Sequence, residues 1–214
     1  MSIRRSDPSP QPTITVFAGP NGSGKTSITN QMVREMHVGE LVNADQIAAG
    51  LAHAAGLDVA TTEMQFQAAH EAERRRWTMM MERDSFCTET VMSDRDRWAT
   101  FFNLARQSGY SLQMVFISTR DPAINIGRVA QRVRKGGHHV DAEKIVARYH
   151  KTHAFLREAL SLMDAAFIYD NSDPDTSDGP VLLITMSSED GFKAVVPVEQ
   201  MPAWAAELVN PGSR

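Results

Sequence analysis

The segment Gly19-Pro20-Asn21-Gly22-Ser23-Gly24-Lys25-Thr26 follows the pattern G-x-x-x-x-G-K-[ST] of a phosphate-binding loop. It constrains the fold because such a loop works only between a strand and a helix. Before it, Thr13-Ile14-Thr15-Val16-Phe17-Ala18 is β-branched and aromatic, the composition of a buried strand. After it, Ile28, Met32 and Met36 recur at helical spacing. Gly19, Gly22 and Gly24, with Pro20, Asn21 and Ser23 between them, let the backbone curl so that its N–H groups face phosphate oxygens. The start of the following helix adds partial positive charge. Lys25 is placed to reach the β- and γ-phosphates of ATP, and the Thr26 hydroxyl to meet Mg²⁺. A glycine turn that binds nothing would need neither the strand nor the helix.

Length and charge narrow the rest. A chain of 214 residues with 42% hydrophobic and 22% charged residues can build one large core. The expected organisation is a leader over 1–12, a single domain over 13–200 and a C-terminal tail over 201–214. The leader is polar, carries Pro8, Pro10 and Pro12, lacks the apolar stretch of a signal peptide and reads as disordered. A net charge of −4 advertises no basic field for nucleic acid, and no apolar run reaches membrane-spanning length. The single cysteine, Cys87, cannot form an internal disulfide, which suits a reducing compartment; the expected location is the cytoplasm.

Strands and helices alternate along the chain. Strands are expected near 13–18, 40–43, 85–89, 112–117 and 166–170, then a hairpin near 181–186 and 193–197. Helices are expected over 25–37, 45–54, 61–83, 95–108, 121–134 and 141–163. Trp98, Phe101, Phe102 and Ala105 make an apolar helical stripe that reads as core. Such alternation predicts an α/β fold, a parallel sheet with helices on both faces and a C-terminal β-hairpin. Its ligand crevice lies beyond the carboxyl ends of the strands.

That rule selects residues. The second strand ends at Leu41-Val42-Asn43-Ala44-Asp45, which brings Asp45 to the crevice. Its carboxylate reads equally as a general base for an attacking hydroxyl or as the N-cap of the next helix. The third strand ends at Phe86-Cys87-Thr88-Glu89-Thr90, where Glu89 is a candidate for the Mg²⁺ shell or the substrate. No hydrophobic run ending in aspartate, the usual second half of a phosphate-loop site, precedes it. Cys87 reads as a small buried hydrophobe rather than a nucleophile.

A second charged segment runs from Arg128 to His139. Arg128 and Arg132 share one helical face, and Val129 and Val133 make an apolar stripe beside it. Gly136-Gly137 ends the helix, and Arg148 follows in the next. Such a segment serves either as a mobile lid bringing arginines to the transferred phosphate or as a solvated basic face. Adjacent His138 and His139 point in different directions on regular backbone, which argues against a shared metal.

Taken in order, GPNGSGKT, NAD at 43–45, ET at 89–90, RVAQRVRKGGHHV at 128–140, RY at 148–149 and DNS at 170–172 resemble the zeta toxin family of small P-loop kinases, over roughly Thr13 to Ser172. The resemblance implies a P-loop kinase-like core that uses ATP and Mg²⁺ to phosphorylate the amino-sugar 3′-hydroxyl of UDP-N-acetylglucosamine. It also implies an epsilon-type antitoxin protein as partner. Lys25 and Thr26 match the phosphate-loop pair, and Asp45 the catalytic base. Asn43, Glu89 and Thr90 fall at the acceptor-binding edge, with Thr26 and Glu89 at the metal. Arg128 and Arg132 as catalytic residues, and Arg134 as an ATP contact, lie in the segment that carries the family's ATP-binding arginines. Where relatives read GGHDVP this chain reads GGHHVD, so the acid falls at Asp141. The stretch 53–83 has no sugar-binding signature, and Arg95 and Arg97 are either diphosphate contacts or surface residues.

Two other functions share these motifs. One is a P-loop kinase for another hydroxyl, an antibiotic or a polynucleotide 5′-end; the acidic balance makes nucleic acid the weaker substrate. The other is a nonenzymatic ATP-binding switch, which would have no need of a base at Asp45.

Overall fold

The computed structural model describes residues 11–36, 38–137, 139–173 and 179–210. Most of the 1–12 leader and His138 lie outside the described residues. Five strands run parallel: β1 (Thr13–Ala18), β2 (Glu40–Val42), β3 (Phe86–Thr90), β4 (Ser111–Ser118) and β5 (Ala165–Asp170). β6 (Val181–Ser187) and β7 (Gly191–Ala194) are antiparallel. The sheet order is β2-β3-β1-β4-β5-β6-β7, so the expected hairpin extends the same sheet from β5. β1 is the middle one of the five parallel strands, and the phosphate loop leaves its carboxyl end.

Alternation along the strands sorts the core into two layers. Ile14, Val16 and Ala18 of β1, with Leu112, Met114 and Phe116 of β4, belong to one large buried cluster. Over it pack α3 (Thr62–Glu82), α4 (Arg95–Gln107) and α6 (Ala142–Leu160). Trp98, Phe101, Phe102 and Ala105 are all buried there, as their spacing predicts. On the other face Phe17, Cys87, Val115 and Ile117 pack against Ile28, Met32 and Val33 of α1 (Lys25–Met36). α2 (Ala44–Ala54) follows β2, and α5 (Pro122–Arg134) joins α6 through Val129, Val140 and Ile145. The fold is thus the expected α/β arrangement, with helices on both faces of a mostly parallel sheet.

Sequence punctuation sets the helix starts. Thr61, Asp94 and Asp121 each accept a backbone N–H bond as N-caps, and Pro122 takes the first helical position of α5. The region expected to be a tail is different. After a short 3₁₀ turn at Val198–Gln200, α7 (Ala203–Val209) buries Ala205 and Leu208 in the main core, beside Met201. The Trp204 indole donates to the Thr119 carbonyl at 3.0 Å, and Arg157 donates to the Leu208 carbonyl at 3.0 Å. Residues 201–209 therefore belong to the domain. The stretch expected to be helical as far as 163 ends at Leu160.

Candidate active site

The phosphate loop is held from three sides. Gly22 has φ +76°, and a Cβ there would lie 2.6 Å from the Asn125 carbonyl of α5. Gly24 has φ +90°, and its Cβ would lie 2.2 Å from the Asn171 side-chain nitrogen. Both glycines are therefore required by backbone shape and by close packing. That packing is bonded: Asn171 Nδ2 donates to the Ser23 carbonyl at 2.7 Å, and Asn125 Nδ2 to the Asn21 carbonyl at 2.6 Å. Thr119 Oγ1 in turn bonds Asn125 Oδ1. Arg148 reaches Asn21 Oδ1 at 3.3 Å, and Arg128 donates to the Asn171 carbonyl at 2.6 Å. Asn171 belongs to the DNS run after β5, where Ser172 N donates to Asp170 Oδ1 at 3.0 Å. Within the loop Ser23 is fully buried, and its hydroxyl has no partner among the described residues.

Lys25 is buried at the start of α1 and donates to the Pro20 carbonyl at 2.8 Å. Burial pushes its ammonium down to about 8, Glu89 and Asp45 oppose the fall, and Arg132 adds to it. Beside it Thr26 Oγ1 donates to Glu89 Oε1 at 2.9 Å, and Asn43 Nδ2 donates to Glu89 Oε2 at 3.0 Å. Burial raises the Glu89 pKa, with Lys25 and Thr26 pulling against it. Both carboxylate oxygens accept, which suits the ionised form. Thr90 faces the same crevice and accepts from Met92 N at 2.9 Å, closing a turn in which Met92 has φ +57°.

Asp45 is not the helix cap. The cap of α2 is Asn43, whose Oδ1 accepts from Asp45 N at 2.8 Å and Gln46 N at 3.4 Å. That leaves the Asp45 carboxylate exposed in the first turn, making no hydrogen bond or ion pair with a described residue. The same assignment gives Asn43 two structural tasks, capping α2 and holding Glu89.

These residues line one cavity of about 490 Å³: Asn21, Gly22, Gly24, Lys25, Thr26, Asn43, Asp45, Glu89, Thr90, Arg128 and Arg132 all border it. Gly19, Pro20 and Ser23 shape the loop behind it. Arg134, expected at ATP, is exposed on the last turn of α5 and does not border the cavity. Arg148, Arg76, Arg97 and Trp98 do. Of these, Arg76 and Trp98 were not readable as site residues, because one sits in a run of three arginines and the other in the apolar stripe. A larger groove of about 1070 Å³ lies between α2 and α3, but Lys25, Asp45 and Glu89 do not line it. His139 pairs with Asp141 at 3.1 Å. No group of three His, Cys, Asp or Glu side chains among the described residues is placed to hold a metal. Mg²⁺ with a nucleotide asks for less: a hydroxyl and a carboxylate such as Thr26 and Glu89, the remaining oxygens coming from phosphate and water.

The family model described as an AAA domain matches residues 14–156, a span that holds the loop, Asp45, Glu89 and the arginine segment. The chain belongs to the AAA domain family. No curated protein matches the sequence of this AAA domain. Among solved structures it is similar to a chain of the AvrRxo1-ORF1:AvrRxo1-ORF2 complex, with TM-score 0.68 and 14% identity over 86% of this chain and 61% of that one. The chain thus spans 61% of the length of that neighbour. The same complex with ATP matches at TM-score 0.67 and 14% identity, with the same coverage. A chain of the PezAT chromosomal toxin-antitoxin system of Streptococcus pneumoniae matches at TM-score 0.60 and 18% identity, over 96% of this chain and 81% of that one. At these identities the likeness establishes the P-loop kinase-like fold. No helix among the described residues is long and apolar enough to cross a membrane.

Proposed function

We propose that this AAA domain is an ATP- and Mg²⁺-dependent kinase of zeta-toxin type that phosphorylates a hydroxyl of a UDP-activated amino sugar such as UDP-N-acetylglucosamine. The observation that carries the reading is the Asp45 carboxylate. It has no hydrogen bond or ion pair of its own among the described residues, yet it borders the same cavity as Lys25 and Thr26. A nucleotide switch has no use for such a group. A kinase needs it to align the acceptor hydroxyl and accept its proton.

The residues divide the work. The loop N–H groups and Lys25 hold the β- and γ-phosphates, with Arg128, Arg132 and Arg148 closing from the α5–α6 side. Thr26 and Glu89 would hold Mg²⁺, which neutralises charge on the phosphates when bound. Asp45 accepts a hydrogen bond from the acceptor hydroxyl. As that oxygen bonds to the γ-phosphorus, the bond from phosphorus to the β-bridging oxygen breaks and ADP departs. The hydroxyl proton passes to the Asp45 carboxylate and then to solvent. The transition state is loose, so position and charge carry most of the catalysis.

The PezAT neighbour is named as part of a toxin-antitoxin system, which supports an antitoxin protein as the partner here. The direct test is ³¹P NMR of full-length protein with ATP, Mg²⁺ and UDP-N-acetylglucosamine. A new phosphomonoester signal appearing in step with ADP supports the reading. ADP formed at one slow rate whatever acceptor is added would contradict it.

A further inference from the structure

α3 presents Ala69, Ala72 and Arg76 to the cavity, three positions that share one helical face. The two alanines leave space, and Arg76 closes its end. Arg76 is only 7% exposed, yet it makes no hydrogen bond or ion pair with any described residue. Its guanidinium lies over the rings of Trp98 and Phe101, 5.3 and 6.0 Å from their centroids. The rings favour a cation but satisfy none of its five N–H donors. The acid that acts on it, Glu73, is already paired with Arg97 at 3.1 Å. Burial, and then the charge of Arg97, lower the Arg76 pKa to about 10, so it remains a cation at neutral pH. Two guanidiniums and one carboxylate leave this end of the cavity with an uncompensated positive charge.

The elements that carry this charge are separate in the chain from those that carry the arginines on the ATP side. Arg128 and Arg132 come from α5, which follows β4, and Arg148 from α6, which precedes β5. β3 and β2, which end in Glu89 and lead to Asp45, lie on the other side of β1 from β4 and β5, and α3 and α4 flank β3 in the chain. The cavity therefore has two sets of cations, Arg128, Arg132 and Arg148 from α5 and α6 and Arg76 and Arg97 from α3 and α4, with the Asp45 and Glu89 carboxylates on its border. ATP on the loop neutralises only one set.

We infer that Arg76, assisted by Arg97, binds a phosphate group carried by the acceptor, so that the enzyme selects a phosphorylated hydroxyl compound over its neutral counterpart. The inference rests on the kinase reading above and adds to it the residue that reads the acceptor. Paired guanidinium forks suit the several oxygens of a phosphate or diphosphate better than a lone carboxylate.

Calorimetric titration of inorganic pyrophosphate into full-length protein saturated with Mg²⁺ and a non-hydrolysable ATP analogue tests it. The loaded wild type is expected to bind pyrophosphate. Arg76→Met is expected to weaken that binding by about tenfold or more, since a charge-assisted hydrogen bond is lost. Arg76→Lys should restore part of the affinity, and both variants should bind the ATP analogue as wild type does. Without ligand, Arg76→Met should melt no lower than wild type, because it removes a buried charge that has no acid of its own. Should Arg76→Met fail to fold, the more exposed Arg97→Gln is expected to weaken pyrophosphate binding severalfold. Wild-type affinity in Arg76→Met or Arg97→Gln would overturn the inference. So would no pyrophosphate binding by the loaded wild type, or malonate binding as tightly as pyrophosphate. Pyrophosphate binding that depends on Arg76, without phosphotransfer to any acceptor, would support the anion site and count against the kinase reading. Phosphotransfer without Arg76-dependent anion binding would overturn the site alone.

Discussion

Lys25 shows how one side chain ties burial to chemistry. The proposed kinase needs its charge at the phosphates, but burial has brought its pKa down to about 8. Below that value the free protein presents a cation; above it, a neutral amine that holds phosphate poorly. The expected result is that kcat/KM for ATP falls about tenfold per pH unit above roughly pH 8, since that parameter reports the free enzyme. Bound phosphates raise the same pKa, so kcat should fall only at higher pH. A kcat/KM profile flat to about pH 9.5 would show that Lys25 does not govern binding. Gly24 is constrained by shape instead. Gly24→Ala places a methyl group 2.2 Å from Asn171 Nδ2 on a backbone at φ +90°. It should cost about 1–3 kcal/mol in chemical denaturation and weaken ATP binding as the Asn171–Ser23 bond gives way. Unchanged stability and affinity would mean the loop is looser than its packing indicates.

Among the elements, α5 separates two readings of its basic run. Arg128 and Arg132 border the cavity, whereas Arg134 is exposed and does not. Turnover should fall by at least about tenfold in Arg132→Ala, within the range of arginines that stabilise phosphoryl transfer. Arg134→Ala should retain wild-type turnover, and both should melt within about 2 °C of wild type. The reverse order would return α5 to a solvated basic face. Spacing alone made the face of Arg128 and Arg132 readable, but not the end of the helix, where Arg134 has already turned outward. The cap of α2 was unreadable for a similar reason. Asn43 and Asp45 both favour cap positions, and only the observed backbone, with Asn43 extended and Asp45 in the first turn, decides between them. Asn43→Ala should therefore cost about 1 kcal/mol through the cap, and more if Glu89 loses its position. A stability loss at Asp45→Ala but none at Asn43→Ala would reverse that assignment.

At the scale of the whole molecule, the alternating strands and helices were legible because the buried strands are short apolar runs and the helices have clear stripes. The C-terminal helix was not. α7 has seven residues, Ala203 to Val209, and its pattern of Trp204, Ala205 and Leu208 after Pro202 is too brief for periodicity to distinguish. Tertiary contacts give it weight: Leu208 and Ala205 are buried, and Trp204 bonds the Thr119 carbonyl. Thr119 leads through Asn125 to the loop at Asn21, so the end of the chain and the nucleotide site share a bonded network. Truncation after Gln200 should lower unfolding free energy by roughly 3 kcal/mol or more, from lost burial of Leu208 and Trp204 alone. A truncated chain as stable as the full one would make 201–209 a tail after all. Arg76 and Trp98 were hidden differently: nothing in a run of three arginines or an apolar stripe says which member meets a cavity.

The proposed reaction turns on Asp45, and one substitution tests it most directly. Asp45→Asn keeps size and polarity but cannot accept the proton, and since Asn43 is the cap, α2 should be undisturbed. Phosphorylation of UDP-N-acetylglucosamine by this variant, measured beside ATP affinity and melting temperature, should fall about 10²–10⁴-fold, the scale of general-base catalysis, with the other two unchanged. Phosphorylation at the wild-type rate would contradict the account and move the base to another residue, with Glu89 the next candidate.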